Sequence, residues 1–170
     1  MEMENTYIVE IVLQKGRKKM KMSIEIMSEV KVAYMRSIGM YGAANSRMME
    51  QFKKWVKESG YEDENTVILG IAHDNPAMVN PDTCRYDACL VLDGREVEPT
   101  DVIHVGKFEG GKYCVCRIEH TSEAVRQAWM NMFGEIQIKG YKLDGTRPIV
   151  ERYAAKVIAG HECEICVPVK

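Results

Sequence analysis

An internal repeat constrains the fold of this chain more than any other feature of its 170 residues. Three short segments recur in the same order, each displaced by roughly 80 residues, which is the signature of a duplicated structural unit. The matching pairs are 32–36 with 113–117, 59–61 with 139–141, and 86–89 with 163–166. Each match is short, but their common order and spacing predict two equivalent units.

Each unit contains one amphipathic helix. The first is predicted after Tyr41-Gly42 and ends at Gly60, because glycine readily adopts the left-handed conformation that stops a helix. The second is predicted after Thr121-Ser122, either of which can cap free backbone amides. Apolar residues at three- and four-residue spacing give each helix one buried face. These are Ala44, Met48, Phe52, Trp55 and Val56, and then Val125, Ala128, Trp129, Met132 and Phe133.

The rest of each unit is typical of β-strands. Eight short segments rich in β-branched and aromatic residues are bounded by Gly, Pro, Asn and Asp: 22–26, 30–36, 66–71, 85–92, 102–107, 112–118, 149–155 and 162–169. Gly110-Gly111 predicts a hairpin between two of them. The sequence therefore predicts an α+β fold: duplicated ββαββ-type units form a curved antiparallel sheet with two helices and a pseudo-twofold axis. The seam between the units is the expected ligand-binding cleft.

Composition argues against nucleic acid and membranes as partners. The 23 Lys and Arg against 25 Asp and Glu give a net charge of −2, whereas polyanions bind a concentrated positive surface. No apolar run approaches the roughly 18 residues of a membrane span, and residues 1–20 lack the pattern of a secretion signal. We therefore expect a cytoplasmic protein with one domain over residues 21–170 and an N-terminal extension over residues 1–20.

Glu164 is the candidate functional residue, because it interrupts an apolar stretch over residues 163–169. Strand alternation places it on one face with Cys166 and Pro168. A carboxylate among apolar neighbours needs a partner or a proton. It can be the counter-charge of a cationic ligand or a general base that activates water. The alternative is a structural glutamate that pairs with a nearby arginine or points into solvent.

The six cysteines do not predict a metal site. Cys163 and Cys166 lie three apart on a predicted strand, so their side chains face opposite sides. Cys114 and Cys116 share a face, but two thiolates do not complete a tetrahedral zinc site. In a reducing compartment all six are expected as buried thiols. We expect neither a metal nor an organic cofactor, since no phosphate-binding glycine-rich motif is present.

Several of these segments together resemble a known family. The most specific are Gly70-Ile71-Ala72-His73-Asp74-Asn75-Pro76 and Cys84-Arg85-Tyr86-Asp87-Ala88-Cys89, supported by 32–41, 111–115, 139–141, 148–153 and 163–169. They resemble the GyrI-like small-molecule-binding domain, which occurs as the effector-binding half of AraC-type regulators and as free-standing proteins. The resemblance runs from about residue 20 to residue 170.

The resemblance implies a function and a set of site residues. Glu164 matches the pocket glutamate of the family, and Tyr41, Trp129, Phe133 and Tyr141 are the candidates for the pocket wall. We therefore expect a stand-alone effector-binding protein that binds small lipophilic, cationic molecules such as drugs or metabolites, with no direct contact to DNA. Two alternatives stay open. One is hydrolysis of cyclopropane-bearing electrophiles with Glu164 as general base, and the other is a protein partner, either gyrase or a separate regulator.

Overall fold

One curved antiparallel sheet of nine strands forms the body of the protein in a computed structural model, which describes Val9–Glu10 and residues 20–170. The strands are β1 (Val9–Glu10), β2 (Lys21–Met27), β3 (Val30–Ile38), β4 (Val67–Ala72), β5 (Arg85–Val91), β6 (His104–Phe108), β7 (Gly111–Glu119), β8 (Ile149–Ala154) and β9 (Glu162–Pro168). Their order across the sheet is β1-β2-β7-β9-β8-β4-β5-β3-β6. Apart from Val9–Glu10 and Met20, the predicted extension over residues 1–20 lies outside the described residues.

Two long helices, α1 (Ala43–Glu58) and α2 (Ser122–Ile138), cover one face of this sheet, and a single turn, α3 (Ala155–Ile158), follows β8. The Thr121 hydroxyl accepts a hydrogen bond from the first turn of α2. Each long helix stops before a glycine with positive φ, Gly60 at 77° and Gly140 at 86°. The predicted beginnings of both helices and the predicted end of α1 at Gly60 are therefore confirmed. None of the helices in the described part of the chain is long and apolar enough to cross a membrane.

The two units exchange their first strands. Strands β2 to β5 with α1 form the first unit, and β6 to β9 with α2 form the second, yet β2 pairs with β7 and β6 pairs with β3. The counterparts are β2 and β6, β3 and β7, β4 and β8, and β5 and β9. Replacing each strand by its counterpart gives the same order read from the other edge of the sheet, which confirms the predicted pseudo-twofold axis. The axis passes between β4 and β8, where Gly70 lies opposite Glu151.

The hairpin predicted at Gly110-Gly111 is wrong, because β6 and β7 are not neighbours in the sheet. The chain instead crosses there from the edge of one half to the middle of the other. Gly110 has φ 74°, and a Cβ atom on it would lie 2.2 Å from the Met27 carbonyl oxygen at the end of β2. Two glycines therefore mark a close crossing of two connections rather than a tight turn.

The core lies on both faces of the sheet. Under α1 it contains Phe52 and Leu90, and under α2 it contains Met132 and Ile165. We call this side of the sheet the helix face. The other side, the open face, has its own cluster of buried side chains: Met27, Val32, Leu69, Ile71, Cys89, Phe108, Tyr113, Val115, Val150 and Cys166. All six cysteines are buried and carry no disulfide, as predicted.

Candidate ligand-binding site

A cavity of about 710 Å³ lies on the helix face, where the two units meet between α1 and α2. We call it the seam cavity. Both helices, the strands beside the pseudo-twofold axis and the residues leading into each helix contribute to its wall. The lining residues are Tyr41, Gly42, Asn45, Ser46, Met49, Glu50, Lys53, Ala72, Tyr86, His120, Thr121, Ser122, Val125, Arg126, Trp129, Glu151 and Tyr153. Its volume is within the range typical of small-molecule sites.

Glu151 is the carboxylate on the sheet floor of the seam cavity. It lies on β8 opposite Gly70 of β4. The hydroxyl of Tyr153, two residues further along the same face, donates a hydrogen bond to the Glu151 carboxylate. Gly70 leaves room for a second ring, because a Cβ atom at this position would lie only 2.3 Å from the Tyr86 hydroxyl. The side chain at the symmetry axis is therefore acidic and lies between two tyrosines.

Burial dominates the electrostatics of this floor. Loss of water around the Glu151 carboxylate raises its pKa, and this effect outweighs the lowering by the Tyr153 hydrogen bond and by the positive charge of Lys53. The pKa values of the Tyr86 and Tyr153 hydroxyls are also raised, first by burial and then by the nearby Glu151. A carboxylate in this position gains from a positive charge nearby and is also a possible proton acceptor.

A second cavity of about 590 Å³ adjoins the first on the helix face, and both are lined by Tyr41, Ala72 and Trp129. Its remaining wall is largely apolar and includes Phe133 and Leu143. The Tyr41 ring is held between the cavities by its hydroxyl, which donates to the Arg85 carbonyl at 2.8 Å. Aromatic rings thus form the boundary between the two spaces.

The structure brings together three of the predicted wall residues. Tyr41 and Trp129 line both cavities, and Phe133 lines the second, with its ring centroid 6.1 Å from that of Trp129. Tyr141 lines neither cavity; its ring lies under the Lys112 ammonium group, 5.7 Å from ring centroid to nitrogen. Contact of any of these side chains with a ligand stays a prediction.

The structure corrects the predicted position of Glu164. The Glu164 side chain lies on the open face, away from the seam cavity, and only 3% of its surface is exposed. Arg152 donates to it from Nε at 3.0 Å and from Nη2 at 3.2 Å, and Arg117 donates from Nη2 at 3.3 Å. Arg152 also binds Glu25 at 2.8 and 2.9 Å. This is the arginine-paired structural role that the sequence left open as the alternative.

The Glu164 ion pair has a counterpart in the first unit. Arg117 faces Glu164 across β7 and β9, and Arg36 faces Asp87 across β3 and β5. Arg36 binds both Asp87 oxygens, at 2.7 and 2.8 Å. The duplication therefore preserved an acidic–basic pair on the open face of each half. Glu164 belongs to the symmetric framework of the sheet, and Glu151 is the acidic residue on the floor of the seam cavity, whose wall also includes the exposed Glu50.

The signal that distinguishes the two glutamates lies in their neighbours. On β9, Ile165 and Val167 alternate with Glu164, and these larger apolar side chains pack under α2, which turns Glu164 to the open face. On β8, Glu151 shares its face with Ile149 and Tyr153, which both pack in the core under the helices. Comparing the apolar content of the two faces of each strand separates Glu151 from Glu164 once one face has been assigned to the helices.

A cavity between two helices and a sheet, with aromatic walls and a carboxylate on its floor, defines a small-molecule-binding domain. Sequence comparison agrees with this class. The chain belongs to the family of GyrI-like small-molecule-binding domains, whose family model matches residues 20–170. The family predicted from the sequence motifs is therefore confirmed.

Two curated relatives carry names that refer to transcriptional regulation. The SPbeta prophage-derived protein YosT of Bacillus subtilis (strain 168), named for a proposed regulatory role, is 42% identical over 154 residues, which cover 89% of this chain and 100% of YosT. YgiV of Escherichia coli (strain K12), named for a similar role, is 29% identical over 93 residues, 50% of this chain and 58% of YgiV.

Solved structures share the fold at low sequence identity. The C-terminal domain of EcmrR superimposes with a TM-score of 0.65 at 13% identity, over 89% of this chain and 98% of that domain. In the EcmrR–DNA complex the match spans 57% of the EcmrR chain. SAV2435 bound to tetraphenylphosphonium gives a TM-score of 0.54 at 14% identity, over 88% of this chain and 93% of SAV2435.

Proposed function

We propose that this protein binds lipophilic cations in the seam cavity and acts as an effector-binding protein of the regulator type. The observation that carries the proposal is Glu151, a partly desolvated carboxylate on an otherwise largely aromatic and apolar floor. Tyr86 and Tyr153 flank it, and Tyr41 and Trp129 complete the aromatic wall.

Two physical effects favour a cation at this position. The Glu151 carboxylate has lost part of its hydration, so a positive ligand restores favourable electrostatics without needing water. Aromatic faces attract cations through their quadrupoles, and apolar groups around the charge gain from leaving water. A lipophilic cation satisfies both requirements. The tetraphenylphosphonium bound by SAV2435, which shares the fold, belongs to this chemical class.

Titration with tetraphenylphosphonium tests the proposal. Binding is measured by the fluorescence of the two tryptophans and by calorimetry. Glu151→Gln keeps the size of the side chain and removes its charge, and we expect it to weaken cation binding by about tenfold or more. Glu58→Gln, an equal change at an exposed position on α1 outside the cavity, is the matched control. Equal affinity of wild type, Glu151→Gln and Glu58→Gln would remove the proposal.

Hydrolysis is the second candidate, and the raised pKa of Glu151 favours it. A carboxylate whose pKa moves towards neutrality is a stronger base for a water molecule. In this reaction Glu151, rather than the predicted Glu164, takes a proton from water while the water oxygen forms a bond to a cyclopropane carbon. The strained ring C–C bond breaks, and the carbon that keeps its electron pair takes the proton back from Glu151. Incubation with a cyclopropane-bearing electrophile and mass spectrometry of the products tests it. Hydrated product that Glu151→Gln abolishes supports catalysis, and a rate equal to the buffer control rejects it.

A further inference from the structure

The seam cavity contains a positive side chain of its own. Lys53 of α1 lines the cavity, and its ammonium nitrogen lies 5.0 Å from the ring centroid of Tyr153. The Tyr153 hydroxyl donates a hydrogen bond to Glu151, and the positive charge of Lys53 lowers the pKa of the Glu151 carboxyl. The lysine ammonium group therefore lies over an aromatic face and near the acidic floor, the two features that attract a cationic ligand.

Only weak interactions hold Lys53 in this position. The ion pair that it forms with Glu50, one turn earlier on α1, is long at 3.8 Å, and the Glu50 side chain is 77% exposed. Such an exposed pair contributes little. The lysine stem is flexible, so its ammonium group can move towards Glu50 and solvent at small cost. Arg126, the arginine of the wall, forms a shorter ion pair with Glu123, at 2.8 Å.

Building on the proposed function, we propose that Lys53 occupies the cation subsite beside Glu151 and Tyr153, and that a cationic ligand displaces it. Lys53 then sets the charge selectivity of the cavity. It lowers affinity for cations, since the ligand must move it away, and it raises affinity for anions, which can keep it in place.

Two hydrophobic ions of nearly equal shape and opposite charge, tetraphenylphosphonium and tetraphenylborate, measure this selectivity directly. Lys53→Met keeps most of the apolar stem and removes the charge. Lys54→Met is the matched control, because Lys54 is 75% exposed, pairs with Glu58 and does not line the cavity. Circular dichroism confirms that each variant is folded.

We expect Lys53→Met to bind tetraphenylphosphonium about tenfold more tightly and tetraphenylborate about tenfold more weakly, as for unit charges several ångströms apart at a partly screened site. Lys54→Met should stay within about twofold of wild type for both ions. If Lys53→Met behaves like Lys54→Met while Glu151→Gln still weakens cation binding, the displacement of Lys53 by the ligand is wrong and the proposed function stands. If neither wild type nor Lys53→Met binds tetraphenylphosphonium, the proposed function fails and this inference fails with it.

Discussion

Glutamate-to-glutamine substitution should lower the free energy of unfolding at Glu164 on the open face and should not lower it at Glu151 on the helix face. Glu164→Gln removes a charge that accepts hydrogen bonds from Arg152 and Arg117 at 3.0 to 3.3 Å, in a position only 3% exposed. Breaking a buried ion pair typically costs about 3–5 kcal/mol. Arg152 keeps both hydrogen bonds to Glu25, so we expect a loss at the lower end, about 3 kcal/mol.

Glu151→Gln should leave the free energy of unfolding unchanged or raise it by about 1 kcal/mol. The pKa of Glu151 is raised in the folded protein, so its ionised form costs stability once the pH rises through that pKa. At neutral pH the amide removes this cost, and its oxygen can still accept the Tyr153 hydrogen bond.

Urea denaturation at pH 7, followed by far-UV circular dichroism, measures both effects. For a chain of this length, about 3 kcal/mol corresponds to a fall in Tm of roughly 6–12 °C. Both variants change one oxygen to nitrogen, so each controls for the other. A loss of less than about 1 kcal/mol in Glu164→Gln, or a larger loss in Glu151→Gln than in Glu164→Gln, would refute the assignment of the two roles.

Three further predictions follow from the site and the fold. Tetraphenylphosphonium affinity should fall as the pH drops through the raised pKa of Glu151, since protonation removes the counter-charge, and titrations of Glu151→Gln should be flat over that range. Gly70→Ala should lower the free energy of unfolding by about 1–3 kcal/mol because its methyl group meets the Tyr86 hydroxyl, and Tyr86→Phe in the same chain should restore most of the loss. Gly110→Ala should cost about 2–4 kcal/mol in urea melts, through positive φ and a clash with a backbone carbonyl, whereas Gly145→Ala, where a Cβ atom meets nothing, should be nearly neutral.

Local pattern in the sequence was sufficient for most of the elements. Gly60 ends α1 through its left-handed conformation, and Thr121 caps α2, so both boundaries depend on single residues whose chemistry is visible in the sequence. The repeat at constant spacing predicted the symmetry. Strand partners could not be predicted in this way, because alternation of side chains says which residues share a face and nothing about which strand lies alongside.

The candidate site was predicted only in part for the same reason. The apolar stripes define the positions of α1 and α2, and the structure places Tyr41, before α1, and Trp129 and Phe133, on α2, along the cavities. Glu164 required a choice between two faces of β9, and an apolar surrounding does not make that choice on a sheet that is buried on both sides. Side chains on β8 alternate between the faces in the same way, and Glu151 is recognisable as a cavity residue only once the helix face has been assigned.

The exchange of β2 and β6 between halves has a consequence for the origin of the fold. A chain of half this length, with the order ββαββ, would leave its first strand without a neighbour in its own half. Two identical copies could satisfy each other by trading that strand, which is the geometry of a domain-swapped homodimer. Joining the copies end to end keeps this strand exchange within a single polypeptide. It also frees each copy to diverge. Two equivalent positions beside the axis could then become different residues, Gly70 in β4 and Glu151 in β8, and Glu151 now faces the cavity.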